Sequence, residues 1–128
     1  MIYLDSSVVL AQLLVEDRVP PARLWAEPLT ASRLLEYEVW TRIHARRLGQ
    51  SHGEAVRAIV GRLALIELAP PVLVRALEPF PGPVRTLDAL HLASIEFLRS
   101  QGQAPILASY DARQVAAART LKIPIYDL

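Results

Sequence analysis

Four stretches of the chain set a carboxylate at or near the start of an expected helix: Asp5, the pair Glu36 and Glu38, Asp88, and Asp111. Carboxylates held close together repel one another, and a divalent cation is the usual remedy. The chain contains no cysteine, so a thiolate zinc site is excluded, and hard oxygen donors favour Mg²⁺ or Mn²⁺. Taken singly, each acid has an ordinary use. Asp5 and Asp111 suit helix caps, Asp88 complements the positive end of a helix dipole, and Glu38 fits a solvated helix charge. Their combination is what points to chemistry. Glu36 and Glu38 stand roughly 200° apart around a helix, so only one can face a given crevice, and spacing alone does not choose between them.

The elements that must position these acids alternate along the chain. Short apolar runs predict strands at residues 2–4, 29–31, 65–68, 106–108 and 123–126. Between them, 3.6-residue periodicity predicts helices over 8–14, from Ser32 to about 48, over 51–63, 70–77, 86–100 and 111–122, with a short turn of helix at Leu24-Trp25. Gly49 is expected to close one helix and Gly102 another, Thr86 to cap a third, and Ser51-His52-Gly53-Glu54 has the spacing of a capping box. Pro79-Phe80-Pro81-Gly82-Pro83 is expected as a loop. Alternating strands and helices imply a parallel sheet covered on both faces. In such sheets ligands bind beyond the carboxyl ends of the strands at a topological switch point. Asp5 follows the first strand at once and Asp111 follows the fourth by three residues. If those strands are neighbours across the switch, both acids enter one crevice.

A chain of 128 residues fits a single domain over 1–128 with one core. Hydrophobic residues make up 52%, yet no apolar run approaches the roughly 20 residues of a membrane-spanning helix. The opening Met1-Ile2-Tyr3-Leu4-Asp5 lacks the basic region of a signal peptide, so a cytoplasmic protein with no membrane partner is expected. Net charge is +1, which neither demands nor excludes nucleic acid. Thirteen of the fourteen basic residues are arginine, the better phosphate partner, although GC-rich coding explains that bias as well.

The residues Ile2-Tyr3-Leu4-Asp5-Ser6-Ser7, Ser32-Arg33-Leu34-Leu35-Glu36-Tyr37-Glu38, Arg85-Thr86-Leu87-Asp88-Ala89-Leu90-His91-Leu92-Ala93 and Ser109-Tyr110-Asp111 occur in the order of the PIN domain. More narrowly, the chain resembles the VapC toxins over essentially its whole length, and Leu-Asp-Ala-Leu-His-Leu-Ala is the most specific block. The resemblance implies a three-layer α/β domain whose mostly parallel sheet has about five strands flanked by helices. It implies a catalytic and metal-binding quartet of Asp5, Glu38, Asp88 and Asp111, with Glu36 left as a surface charge and Ser6 and Ser109 beside the site. It further implies an endoribonuclease using one or two Mg²⁺ or Mn²⁺ ions, an RNA substrate, a cognate VapB-like antitoxin and a homodimer. His91 belongs to the motif but, among Leu90, Leu92 and Ala93, reads as a packing histidine. Trp25 and Trp40 read as core or interface, and Arg42, Arg46 and Arg85 are candidates for gripping an RNA backbone.

Two other classes compete. An aspartyl-phosphate enzyme of the dehalogenase type needs a second Asp two residues after the first, where this chain has Ser7, and a receiver domain needs a lysine after a late strand, where the chain has only Lys122 beside the last one. A non-catalytic PIN-like module that binds RNA or protein is the remaining alternative. Such modules characteristically lose an acid of the quartet, and this chain keeps all four.

Overall fold

Tyr3 and its neighbours set the architecture. The computed structural model describes residues 1–128, and its first strand, β1 (Ile2–Leu4), is buried on both faces, as a central parallel strand requires. Side chains alternate across a strand. Ile2 and Leu4 therefore enter one core with Val8, Val9, Leu35, Val39 and Ile43, while Tyr3 enters a second with Leu92, Ile95, Leu107 and Ile123.

The sheet has four strands in the order β3-β2-β1-β4, with β2 Leu29–Ser32, β3 Ala64–Ile66 and β4 Ile106–Ala108. All pairings are parallel; Ile2 lies opposite Leu29 and Ile106, and Tyr3 opposite Thr30 and Leu107. The chain steps outward from β1 to β2 to β3, then returns to the other side of β1 as β4. The switch point therefore lies between β1 and β4, where the sequence places Asp5 and Asp111. Helices α1 (Ser6–Leu14), α2 (Leu34–Ala45) and α3 (Gly49–Val60) supply the apolar residues of the first core, and α5 (Thr86–Ser100) and α6 (Ala112–Thr120) those of the second. Helix α4 (Pro70–Leu77) packs against α5. These are the three expected layers. No helix is long and apolar enough to cross a membrane.

The expected fifth strand at 123–126 is reduced to one parallel bridge between Leu107 and Ile125. Leu107 N–H donates to the Pro124 carbonyl at 2.9 Å and Tyr126 N–H to the Leu107 carbonyl at 2.7 Å. The next two bonds toward the chain's earlier end would need N–H donors from Pro105 and Pro124, and proline has none. In the other direction the chain leaves β4 at Ser109 to build the site.

Helix ends also differ from expectation. Gly49 opens α3 instead of closing α2. Helix α2 ends in a Schellman motif, with Arg47 N–H on the His44 carbonyl and Leu48 N–H on that of Ile43, and the left-handed position is taken by Arg47 at φ 56°. The capping box over 51–54 does not form: α3 begins two residues earlier, and the Ser51 hydroxyl turns back to the Leu48 carbonyl. Thr86 is the first residue of α5, which has no side-chain cap. Gly102, at φ 82°, does end α5.

Candidate active site

Asp5 leaves β1 with its N–H still on the Ala108 carbonyl at 3.0 Å, which extends the β1–β4 pairing by one bond. Its carboxylate caps α1. Oδ2 accepts from the Ser7 hydroxyl at 2.5 Å and from the Ser109 hydroxyl at 2.9 Å. Those two hydroxyls in turn accept from Tyr110 N–H and Asp111 N–H, each at 3.0 Å. The turn after β4 is thus knitted onto Asp5 by two serines. Ser109 is one of the two the sequence singled out. Ser6, the second serine singled out, lines the same cavity without a side-chain hydrogen bond to Asp5, and the bond to Oδ2 is made by Ser7 instead.

Asp111 caps α6, accepting from Arg113 N–H at 3.0 Å and Gln114 N–H at 3.4 Å. Asp88, buried in the first turn of α5, accepts from Arg113 Nε at 3.2 Å, and the same guanidinium lies 4.0 Å from Asp111 Oδ2. Glu38 projects from α2 and meets His91 Nε2 at 2.6 Å. Glu36, on the other side of the helix, pairs instead with Arg33 at 3.3 Å. The geometry thereby separates the two glutamates that spacing could not.

All four acids open onto one cavity of about 550 Å³ beyond the carboxyl ends of β1 and β4. Arg18, Arg42 and Arg46 line it as well. Arg85 does not; it borders an apolar groove with Phe80 and Leu90 between α4 and α5. Trp25 and Trp40 pack against the first core, and Trp40 stacks on His44 with centroids 5.3 Å apart.

The electrostatics centre on a buried pair. Tyr3 is fully buried, and that burial holds its phenol far above the ordinary range, so it stays neutral. Its hydroxyl lies 2.8 Å from His91 Nδ1. Burial works against a charge on His91, but the Glu38 carboxylate, with Asp5 and Asp88 behind it, raises the imidazole above its usual value.

A hard divalent cation fits this donor set. Four carboxylates and several hydroxyls meet at one cleft with no thiol. A single guanidinium already sits between Asp88 and Asp111, marking a place where positive charge is favoured. In the present arrangement each carboxylate is engaged by its own neighbour and no three acids converge on one point. Arg113 must turn aside before Asp88 and Asp111 can share an ion.

Sequence reading missed Ser7, His91 and Arg113. A signal existed for two of them. His91 lies three residues after Asp88 on one helix, hence on the same face. Arg113 is a cation in the first turn of a helix, where the dipole disfavours it unless an acid is close.

A family model described as PIN domain matches residues 2–120. Ribonuclease VapC46 of Mycobacterium tuberculosis is 32% identical over 128 residues, covering 97% of this chain and 95% of that protein. Ribonuclease VapC47 of the same species is 29% identical over 126 residues, with 93% and 90% covered. Among solved structures, M. tuberculosis VapC20, titled a sarcin-ricin loop cleaving toxin, superposes with a TM-score of 0.70 at 20% identity, over 91% of this chain and 95% of that one. A toxin-antitoxin complex from Klebsiella pneumoniae gives 0.67 at 15% identity, with 94% of both chains covered. At such identities the structural likeness speaks to the fold.

Proposed function

Because this chain belongs to the PIN-domain family, in its VapC branch, we propose that it is a metal-dependent endoribonuclease and the toxin of a toxin–antitoxin pair. The observation that carries the reading is the meeting of Asp5, Glu38, Asp88 and Asp111 at one cleft, on the switch point of the sheet. Asp5, Asp88 and Asp111 would hold the metal, with Glu38 completing the set. Bound there, one or two Mg²⁺ or Mn²⁺ ions would supply Lewis acidity toward water and the scissile phosphate.

The chain's own residues do the rest. Ser7 and Ser109 fix Asp5 by two hydrogen bonds, which holds one carboxylate oxygen in place and leaves Oδ1 for the cleft. Arg42, in the last turn of α2, and Arg46, the residue that caps its C-terminus, are four residues apart and line the cavity with Glu38, a spacing that suits successive contacts to a phosphate backbone. Arg18, which lies over the Tyr110 ring at 4.8 Å, brings a third guanidinium to the same cavity. Arg113, released from Asp88, would be a fourth. An RNA substrate puts the working protein in the cytoplasm.

A cognate VapB-like antitoxin and a homodimer complete the proposal. The apolar groove between α4 and α5, with Leu73, Leu77 and Leu87 exposed around it, supports a further protein contact.

The test is cleavage of single-stranded RNA with and without Mg²⁺ or Mn²⁺, beside Asp5→Asn and Asp88→Asn. Metal-dependent cutting that leaves 5′-phosphate and 3′-hydroxyl ends, reduced at least a hundredfold in both variants with RNA binding largely kept, is expected. Binding without cutting in the parent protein, over a broad RNA panel with metal bound, would favour the non-catalytic module.

A further inference from the structure

We propose that His91 is a positioning residue that sets one oxygen of Glu38, an inference that rests on the nuclease reading above. The imidazole is 2% exposed and both of its nitrogens are used. Nε2 meets Glu38 Oε1 at 2.6 Å and Nδ1 meets the Tyr3 hydroxyl at 2.8 Å. One ring therefore joins β1, two residues before Asp5, to α5, three residues after Asp88, and to the acid on α2. The strand that leads into Asp5 and the two helices that carry Asp88 and Glu38 are locked together through a single side chain.

The protonation pattern follows from the partners. The Glu38 carboxylate can only accept, so Nε2 carries a proton facing it, and in the neutral ring Nδ1 then accepts from the Tyr3 hydroxyl. A charged ring also carries a proton on Nε2. In both states Glu38 Oε1 accepts a hydrogen bond, and Oε2 has no protein partner. A glutamate side chain left free would spread over many rotamers, and ordering it costs conformational entropy; the buried pair fixes it before substrate arrives. Neither nitrogen is left to take a proton from water, so His91 does not serve as a general base. Residues that orient a carboxylate or imidazole at a metal centre typically matter by 10–100-fold.

The experiment has two arms. In the first, long-range ¹H–¹⁵N spectra of the full-length protein read the His91 ring. An Nε2-protonated ring whose ¹⁵N shifts change in Glu38→Gln and in Tyr3→Phe is expected. A ring that titrates like an exposed histidine and ignores both substitutions overturns the proposal. In the second, RNA cleavage is measured for His91→Asn and His91→Gln. The amide nitrogen of Gln can take the place of Nε2, whereas that of Asn falls near Nδ1. His91→Asn should lower kcat about 10–100-fold with KM within about twofold, His91→Gln should recover most of it, and His91→Asn should add nothing in a Glu38→Ala background. Equal losses in both backgrounds, or no advantage of Gln over Asn, overturn the proposal. If His91 variants fail to fold, Tyr3→Phe carries the same kinetic comparison. Absence of cleavage by the parent protein would count against the nuclease reading alone, and the spectra would still decide the His91–Glu38 contact.

Discussion

Asp111 does two jobs with one side chain: Oδ1 caps α6 while Oδ2 faces Arg113 and the cleft. The two can be separated by substitution. Asparagine caps a helix about as well as aspartate, whereas alanine does not, at a typical cost of ~1 kcal/mol. Asp111→Asn should therefore keep the urea midpoint of the parent while cleavage falls, and Asp111→Ala should lose both. Equal stability of the two variants would show that the cap contributes nothing. The same doubling explains what was legible in the sequence at this scale. Asp5 and Asp111 announce themselves as caps next to strand ends, and their meeting follows from the parallel register. Ser7 rather than Ser6 as the partner of Asp5 depends on which hydroxyl the first turn of α1 aims at the β4 turn. His91 hides because its neighbours are apolar, and only Tyr3, 88 residues away, and Glu38, 53 away, reveal its use.

Among the elements, three helices end in the same motif with different residues at the left-handed position: Gly102 after α5, Arg47 after α2 and Lys122 after α6. A side chain there costs roughly 1–2 kcal/mol, against which glycine gives back its greater freedom in the unfolded chain. A Cβ on Gly102 would meet nothing within 4 Å, so the backbone alone decides. Gly102→Ala should lower stability by about 1 kcal/mol, and Lys122→Gly should raise it by up to about 1 kcal/mol; urea denaturation of the two variants checks the opposite signs. This is also why Gly49 misled. Glycine is the usual residue at a helix end, and here an arginine two positions earlier takes that conformation, helped by the favourable placement of a cation at a helix C-terminus. Strand and helix order came through in the sequence because core burial sets the apolar period. The helix ends did not, since they turn on single residues.

Across the whole molecule, the open side of the sheet is fastened by charge. Arg33 follows β2 and pairs with Glu67, which follows β3, at 2.5 Å, while Arg33 N–H donates to the Ile66 carbonyl at 2.8 Å. The hydrogen bond from Arg33 lowers the Glu67 carboxyl below its ordinary value. A carboxyl with a depressed value in the folded state stabilises above its unfolded value and loses that contribution as pH falls through the folded one. The pair is exposed and its effect is small. Glu67→Gln should be slightly less stable than the parent at neutral pH, and the gap should close in acid; a gap that persists in acid would assign the effect to something other than charge. On the opposite side, β4 meets the C-terminal segment in one bridge and no more, because Pro105 and Pro124 withhold the two donors that would extend it. The outermost strand of a sheet is ordinarily a template on which a second chain can lay a strand of its own. Here one margin is occupied by the chain's own end, itself interrupted by proline, and the other is a three-residue strand flanked by an ion pair. The sheet therefore offers little purchase for edge-to-edge growth, which guards a chain this rich in apolar residues against self-association through its backbone and leaves side chains to choose its partners.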